Sequence, residues 1–250
     1  MEAVLEVKNL HKSFGDTNVL KDITLTVNKG DFVAIMGRSG SGKSTLLYNI
    51  SGMDSPSSGS IFFNGQDISS LDDQKMSQIR LHQMGFIFQQ AFLLKKLSIR
   101  DNIVLPGFKS GLLSRDQVNQ NAEKLMEKTG ITNVAGNDVN KVSGGQLQRA
   151  AICRALINNP DILFGDEPTG ALNSSTTKEI MDIINTINAE GTTVIIVTHD
   201  TKVAARADRV IFLVDGHIND QMTVGKYTDD QNENTVREKK LSDWLENQGF

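Results

Sequence analysis

Apolar and polar positions alternate along the amino-terminal part of the chain. Ile23, Leu25 and Val27 alternate with Thr24 and Thr26, the period of a half-buried strand, and Asn28-Lys29-Gly30 follows as a turn. An antiparallel hairpin with an earlier strand around residues 5–7 is expected. The continuous apolar run at 32–36 stops at a glycine-rich stretch, as a strand buried on both faces would. Ile61-Phe62-Phe63 followed by Asn64-Gly65 predicts a second hairpin, because Asn-Gly suits a tight primed turn. From about 93 to 159 strand patterning fades, and Val118, Ala122, Leu125 and Met126 recur at helical spacing. Strand character returns at 162–164, 194–197 and 210–214, with a helix whose apolar stripe is Ile180, Ile183, Ile184 and Ile187. Strand and helix in alternation predict a parallel sheet. Beyond Asp220 the stretch KYTDDQNENTVREKK predicts a solvated linker. Leu241, Trp244 and Leu245 then suffice for one short amphipathic helix, docked on its own domain or, alternatively, on a partner.

Composition narrows the class. With 38% hydrophobic and 22% charged residues in 250, the chain has enough apolar material for a sizeable core in one composite domain. A formal charge of -4 gives no global electrostatic reason to bind nucleic acid, so no such partner is expected. The single cysteine, Cys153, cannot form an internal disulfide, and a cytoplasmic location fits. The opening MEAVLEVKNL is acidic and alternating rather than a signal peptide. The apolar runs fall far short of the roughly 18 to 20 residues that cross a bilayer. Membrane attachment is therefore expected only through a partner, peripherally on the inner face.

Gly37-Arg38-Ser39-Gly40-Ser41-Gly42-Lys43-Ser44 fits G-x-x-x-x-G-K-[ST], between a buried strand and a helix carrying Leu46, Leu47 and Ile50. Glycines let backbone N–H groups approach phosphates, and the helix start adds its positive dipole end. ATP and Mg2+ are the expected cofactors. Gly37, Ser39, Gly40, Ser41, Gly42, Lys43, Ser44 and Thr45 are the expected nucleotide contacts, with Lys43 on the β and γ phosphates and Ser44 on the metal. The strand ending in Asp166-Glu167 supplies a metal-shell carboxylate, Asp166, and a general base, Glu167. Alone, such a pair equally suits a solvated strand end.

Val142-Ser143-Gly144-Gly145-Gln146 opens a second glycine-rich helix start, with serine placed to cap it. One ATP has no use for two such cradles on one chain. Here the sequence resembles the ATP-binding cassettes of ABC transporters, whose LSGGQ signature is matched with valine in the leading position; the resemblance covers about residues 4–218. It implies a P-loop NTPase (RecA-like) α/β core at 1–90 and 160–218, with an N-terminal antiparallel β subdomain. It also implies an inserted α-helical subdomain at 91–159, with a tail at 219–250. It implies a head-to-tail dimer, expected to be a homodimer, in which Ser143, Gly144, Gly145 and Gln146 of one subunit cover the ATP of the other. Residue by residue, Phe14 matches the adenine-stacking aromatic, with a core strand role as the alternative. Gln89 matches the glutamine contacting magnesium and water, with a surface role as its alternative. His199 matches the histidine that holds the γ-phosphate and water. His11, His82 and His217 match nothing, and Cys153 reads as packing.

Two positions depart from the family pattern. Asn173 stands where aspartate is usual in the dimer-contacting loop, and Gly165 where a larger apolar residue is commoner. The phrases FIFQQAFLLKKLSIRDNI, GDEPTGALNS and VIIVTHD resemble the branch serving macrolide export, lipoprotein release and bacitracin-type resistance. The expected function is an ATPase subunit driving a separate membrane permease, in peptide-antibiotic resistance or export. The alternative is a soluble non-transport cassette ATPase acting on ribosomes or DNA.

Overall fold

Two compact units make up the computed structural model, which describes residues 2–250: one runs to Asp72 and resumes at Ile187–Phe250, the other is Asp73–Thr186. In the first, β1 (Ala3–Phe14) and β2 (Thr17–Asn28) pair antiparallel, with Leu5 opposite Val27 and Val7 opposite Leu25. That register buries Leu5, Val7, Ile23, Leu25 and Val27, the alternation read from the sequence. The strands are longer than the pattern indicated, and their connection lies at Gly15-Asp16. Beside β1 runs β4 (Ser58–Phe63), which turns into β5 (Gln66–Asp67). Phe63 pairs with Gln66, and Asn64 and Gly65 take φ of 47° and 77°, the primed two-residue turn expected of Asn-Gly.

The same unit holds β3 (Phe32–Met36), buried at every position, between parallel neighbours β8 (Thr193–Val197) and β9 (Arg209–Val214). Burial on both faces explains why β3, β8 and most of β9 read as continuous apolar runs. Antiparallel to β9 lies β10 (His217–Thr223). Helix α1 (Lys43–Ile50) follows β3, and the short α7 (Thr201–Ala204) follows β8.

The carboxyl-terminal segment corrects the linker reading. A strand continues to Thr223, and the helix α8 (Gln231–Asn247) starts ten residues before Leu241. The side chain that patterning passed over is Arg237. Its guanidinium donates to the carbonyls of Ala205, Ala207, Val224, Gly225 and Lys226 at 2.5–3.2 Å. Burial lowers its pKa, partly offset by nearby Asp208. Leu241 and Leu245 are buried, Trp244 Nε1 donates to Asp220 at 3.1 Å, and the Trp244 and Phe250 rings meet Phe212 edge-on. The helix therefore docks on its own unit.

In the second unit, α2 (Asp73–Gln83) leads into β6 (Met84–Phe88), which pairs parallel with β7 (Ile162–Asp166). Between these strands come α3 (Ile99–Ser110), α4 (Arg115–Lys128) and α5 (Gly144–Leu156). Ser98, Ser114 and Ser143 cap them, the latter two through full capping boxes. Val118, Ala122 and Met126 pack with Ile99, Ile103 and Cys153 in the helical core, as their spacing predicted. After β7, α6 (Ser174–Ala189) begins, with Ile180 and Ile184 buried and Ile183 only half-buried.

Leu241→Ala deletes a wholly buried side chain of α8, so we expect a loss of about 2–4 kcal/mol in stability by urea unfolding. A loss below about 0.5 kcal/mol would contradict the docking of the helix.

Candidate functional site

Beyond the end of β3 the backbone turns sharply through Gly37. A Cβ there would lie 2.2 Å from the Leu213 carbonyl oxygen and 2.6 Å from Ser41 Oγ, so only glycine lets the loop begin against β9. Gly42, at φ 100°, adopts a backbone that side chains disfavour, and it serves as N-cap of α1 without a side-chain cap. Glycine in that position offers no side chain of its own to cap the first turn of α1. Lys43 Nζ arches back over the loop, donating to the Gly37 and Arg38 carbonyls at 2.8 and 2.9 Å. Ser41 Oγ is buried without a hydrogen-bond partner. A glycine-lined turn, an orphaned hydroxyl, a helix start with glycine as N-cap and a folded-back lysine together fit a phosphate chain. The Arg38 guanidinium donates to the Gly249 carbonyl, so the carboxyl-terminal segment reaches this loop, a contact between residues 211 apart that no local pattern signals.

His199 belongs to the same unit. Thr198 N donates to Ile35 O at 3.2 Å, so His199 leaves β8 at the edge where Gly37 leaves β3. It is exposed, and Asp200 caps α7 immediately after it. Phe14 is 54% exposed, which removes the core reading; Lys12 Nζ sits 4.7 Å from its ring centroid and also binds Asp54 at 2.7 Å.

Gln89, Asp166, Glu167 and the signature segment belong to the second unit. Phe88 pairs with Asp166 in parallel register, so Gln89 and Glu167 leave adjacent strands side by side. They converge beside Gly170, where a Cβ would lie 2.9 Å from Gln89 Nε2 and 3.1 Å from Glu167 Oε2. Glu167 has φ 48°, a left-handed conformation that costs of order 1–3 kcal/mol for such a residue.

At the start of α5, Ser143 Oγ accepts from Gln146 N at 3.3 Å, and Gln146 Oε1 accepts from Ser143 N at 2.9 Å. Gln146 thus holds the helix start in shape, while Ser143 and Gly144 are exposed. Val142, in place of leucine, packs against the helical core. Asn173 accepts from Thr176 N at 3.0 Å and Ser175 Oγ at 2.8 Å, so it caps α6 without the aspartate charge. Nothing in the structure explains Gly165. Cys153 is wholly buried, and burial pushes its thiol up to about 12, a packing residue rather than a nucleophile.

The family described as ABC transporter matches residues 20–170. The ATP-binding protein LolD of the lipoprotein-releasing system of Leptospira interrogans is 44% identical over 215 residues, covering 86% of this chain and 90% of that one. The macrolide export ATP-binding/permease protein MacB of Neisseria gonorrhoeae is 40% identical over 241 residues; the match takes in 95% of this chain but 37% of MacB. A solved dimeric, post-hydrolysis structure of the ATP-binding cassette MJ0796, bound to ADP and Pi, superposes with a TM-score of 0.81 at 36% identity. It covers 89% of this chain and all of that one. The chain belongs to the ABC transporter family. It is an ATP-binding, ATP-hydrolysing subunit with the P-loop NTPase fold, and its kind works as a dimer with a membrane partner.

Lys43→Ala removes the phosphate counter-charge from a half-buried loop, so ATP binding should be lost with the circular dichroism spectrum unchanged. Full ATP affinity in the folded variant would reject this loop as the phosphate site. Ser41→Ala should leave the melting temperature of the nucleotide-free chain unchanged or raised, because the hydroxyl is unpartnered there. ATP affinity should fall several-fold; a destabilised nucleotide-free chain with full affinity would contradict the fit.

Proposed function

We propose that the loop from Gly37 through Ser39, Gly40, Ser41, Gly42, Lys43, Ser44 and Thr45 holds the ATP phosphates and Phe14 stacks on adenine. The observation that carries the hydrolytic part is the convergence of Gln89 and Glu167 beside Gly170, with the Glu167 backbone held left-handed. Glu167 accepts the proton of the attacking water, His199 holds water and γ-phosphate, and Gln89 orients the water. Ser44, Gln89 and Asp166 would supply the hard oxygen contacts that suit Mg2+, whose charge would offset that of the phosphates.

Two copies of this chain close head to tail around two ATP molecules. Ser143, Gly144, Gly145 and Gln146 of each copy face the γ-phosphate held by Lys43 of the other; the exposed, capped start of α5 supports this. The domain responsible is 1–218, with the helical subdomain at 91–159 and the remaining 219–250 as a carboxyl-terminal appendage.

The permease docks on the helical side of the second unit, where Phe92, Leu94, Leu105 and Leu112 are 44–63% exposed. Buried Asn102 holds the Leu94 loop on α3, exchanging hydrogen bonds with Leu94 N and O at 2.6 and 3.1 Å. Arg154, its pKa lowered by burial, grips the Ala91 and Phe92 carbonyls at 2.7 and 2.8 Å. Such a braced apolar surface suits force transfer to a membrane protein on the cytoplasmic face. LolD belongs to a lipoprotein-releasing system and MacB to macrolide export; for this chain we favour peptide-antibiotic resistance or export.

Glu167→Gln preserves size but cannot take the proton, so hydrolysis should fall by ~10²-fold or more while Mg-ATP still binds. Light scattering should then show an ATP-dependent dimer that Ser143→Arg abolishes. Near-normal turnover by Glu167→Gln would remove it as the base.

A further inference from the structure

Gln148 lies two residues beyond the signature segment on α5, buried to 3% exposure. Its position among Ala151 and Ile152, both wholly buried, places a polar side chain on the packed face of the helix. The amide nitrogen Nε2 donates to the Phe88 carbonyl at 2.9 Å and to the Pro168 carbonyl at 2.7 Å. Both amide hydrogens are thereby used. The Phe88 carbonyl belongs to the peptide unit that carries the N–H of Gln89. The Pro168 carbonyl stands one residue beyond Glu167. One side chain therefore clasps the two segments whose neighbouring residues converge beside Gly170.

This clasp has something to hold. Glu167 is left-handed at φ 48° and also precedes a proline, a position that sterically favours extended backbone. Two restraints from within the unit oppose that relaxation: Gly170 N donates to Glu167 O at 3.0 Å, and Gln148 fixes the following carbonyl. The proline's own φ is locked, so the fixed carbonyl transmits orientation back to Glu167 with few free torsions between.

We propose that Gln148 is a positioning residue for hydrolysis, holding the Glu167 carboxylate and the Gln89 amide in their mutual geometry from the signature helix. The inference rests on the reading of Glu167 as general base. Because Gln148 and Ser143 share α5, displacement of the signature start by a partner's nucleotide reaches the base of the same chain through this amide.

The test is a double-variant cycle in the full chain, with single-turnover ATP hydrolysis, nucleotide affinity and melting temperature measured for each member. Gln148→Met keeps length and removes both donors. It should lower the hydrolysis rate ~10-fold or more with ATP affinity within about three-fold of the parent. In the Glu167→Gln background the same substitution should cost a much smaller fraction of the rate, since no base is left and only Gln89 remains to be positioned. Equal fractional losses in both backgrounds would show that Gln148 acts independently of Glu167 and overturn the proposal. So would an unchanged rate, or a weakened affinity with hydrolysis intact. Should Gln148→Met fail to fold, Gln148→Asn, which retains the amide but shortens its reach, carries the same cycle with the same criteria. The single variant Glu167→Gln separately tests the underlying reading. A parental rate there removes the base and the inference with it, whereas failure of the cycle alone leaves the base in place.

Discussion

A strand buried on both faces has its backbone satisfied by its neighbours along its length and must find new partners where it ends. In each unit of this chain, parallel strands finish in register, and the residues just beyond them are forced to share one edge. β3 and β8 deliver Gly37 and His199; β6 and β7 deliver Gln89 and Glu167. The chemistry we propose falls at those edges, where the backbone is free to turn its N–H groups outward and the strands behind cannot yield.

Around the edges the structure places restraints that carry no chemistry themselves. Gln148 ties Phe88 to Pro168, Arg154 and Asn102 brace the loop after Gln89, and Asn173 starts α6 close in sequence to Glu167. Each is a side-chain group with two or more partners, all backbone except the Ser175 hydroxyl on Asn173, so each loses two or more interactions on truncation. The departure at Asn173 fits this pattern: the cap needs an acceptor oxygen, which amide and carboxylate both provide, so the loop keeps its shape without the charge.

What could be read from the sequence was what local spacing encodes. The Asn64-Gly65 turn, the alternation in β2, the helical spacing of Val118, Ala122 and Met126 and the P-loop are all contiguous signals. The tail carries no such signal, because polar residues on the open face of α8 outnumber its buried ones and Arg237 acts through five carbonyls scattered over residues 205–226. Gln148 was invisible for a related reason: its partners lie 60 and 20 residues away. The available signal was a glutamine one helical turn from Ala151 and Ile152, on a face otherwise filled by core residues.

In the proposed function, hydrolysis requires the signature start of one copy to meet the phosphate loop of another. Cysteine cross-linking tests it directly in the full chain, since Cys153 is buried, with its thiol pushed up to about 12, and does not compete. In a Ser39→Cys, Ser143→Cys chain, oxidation in the presence of ATP should yield a covalent dimer, and neither single variant should do so. An ATP-bound chain that hydrolyses normally when reduced, yet forms no such dimer on oxidation, would rule out head-to-tail closure.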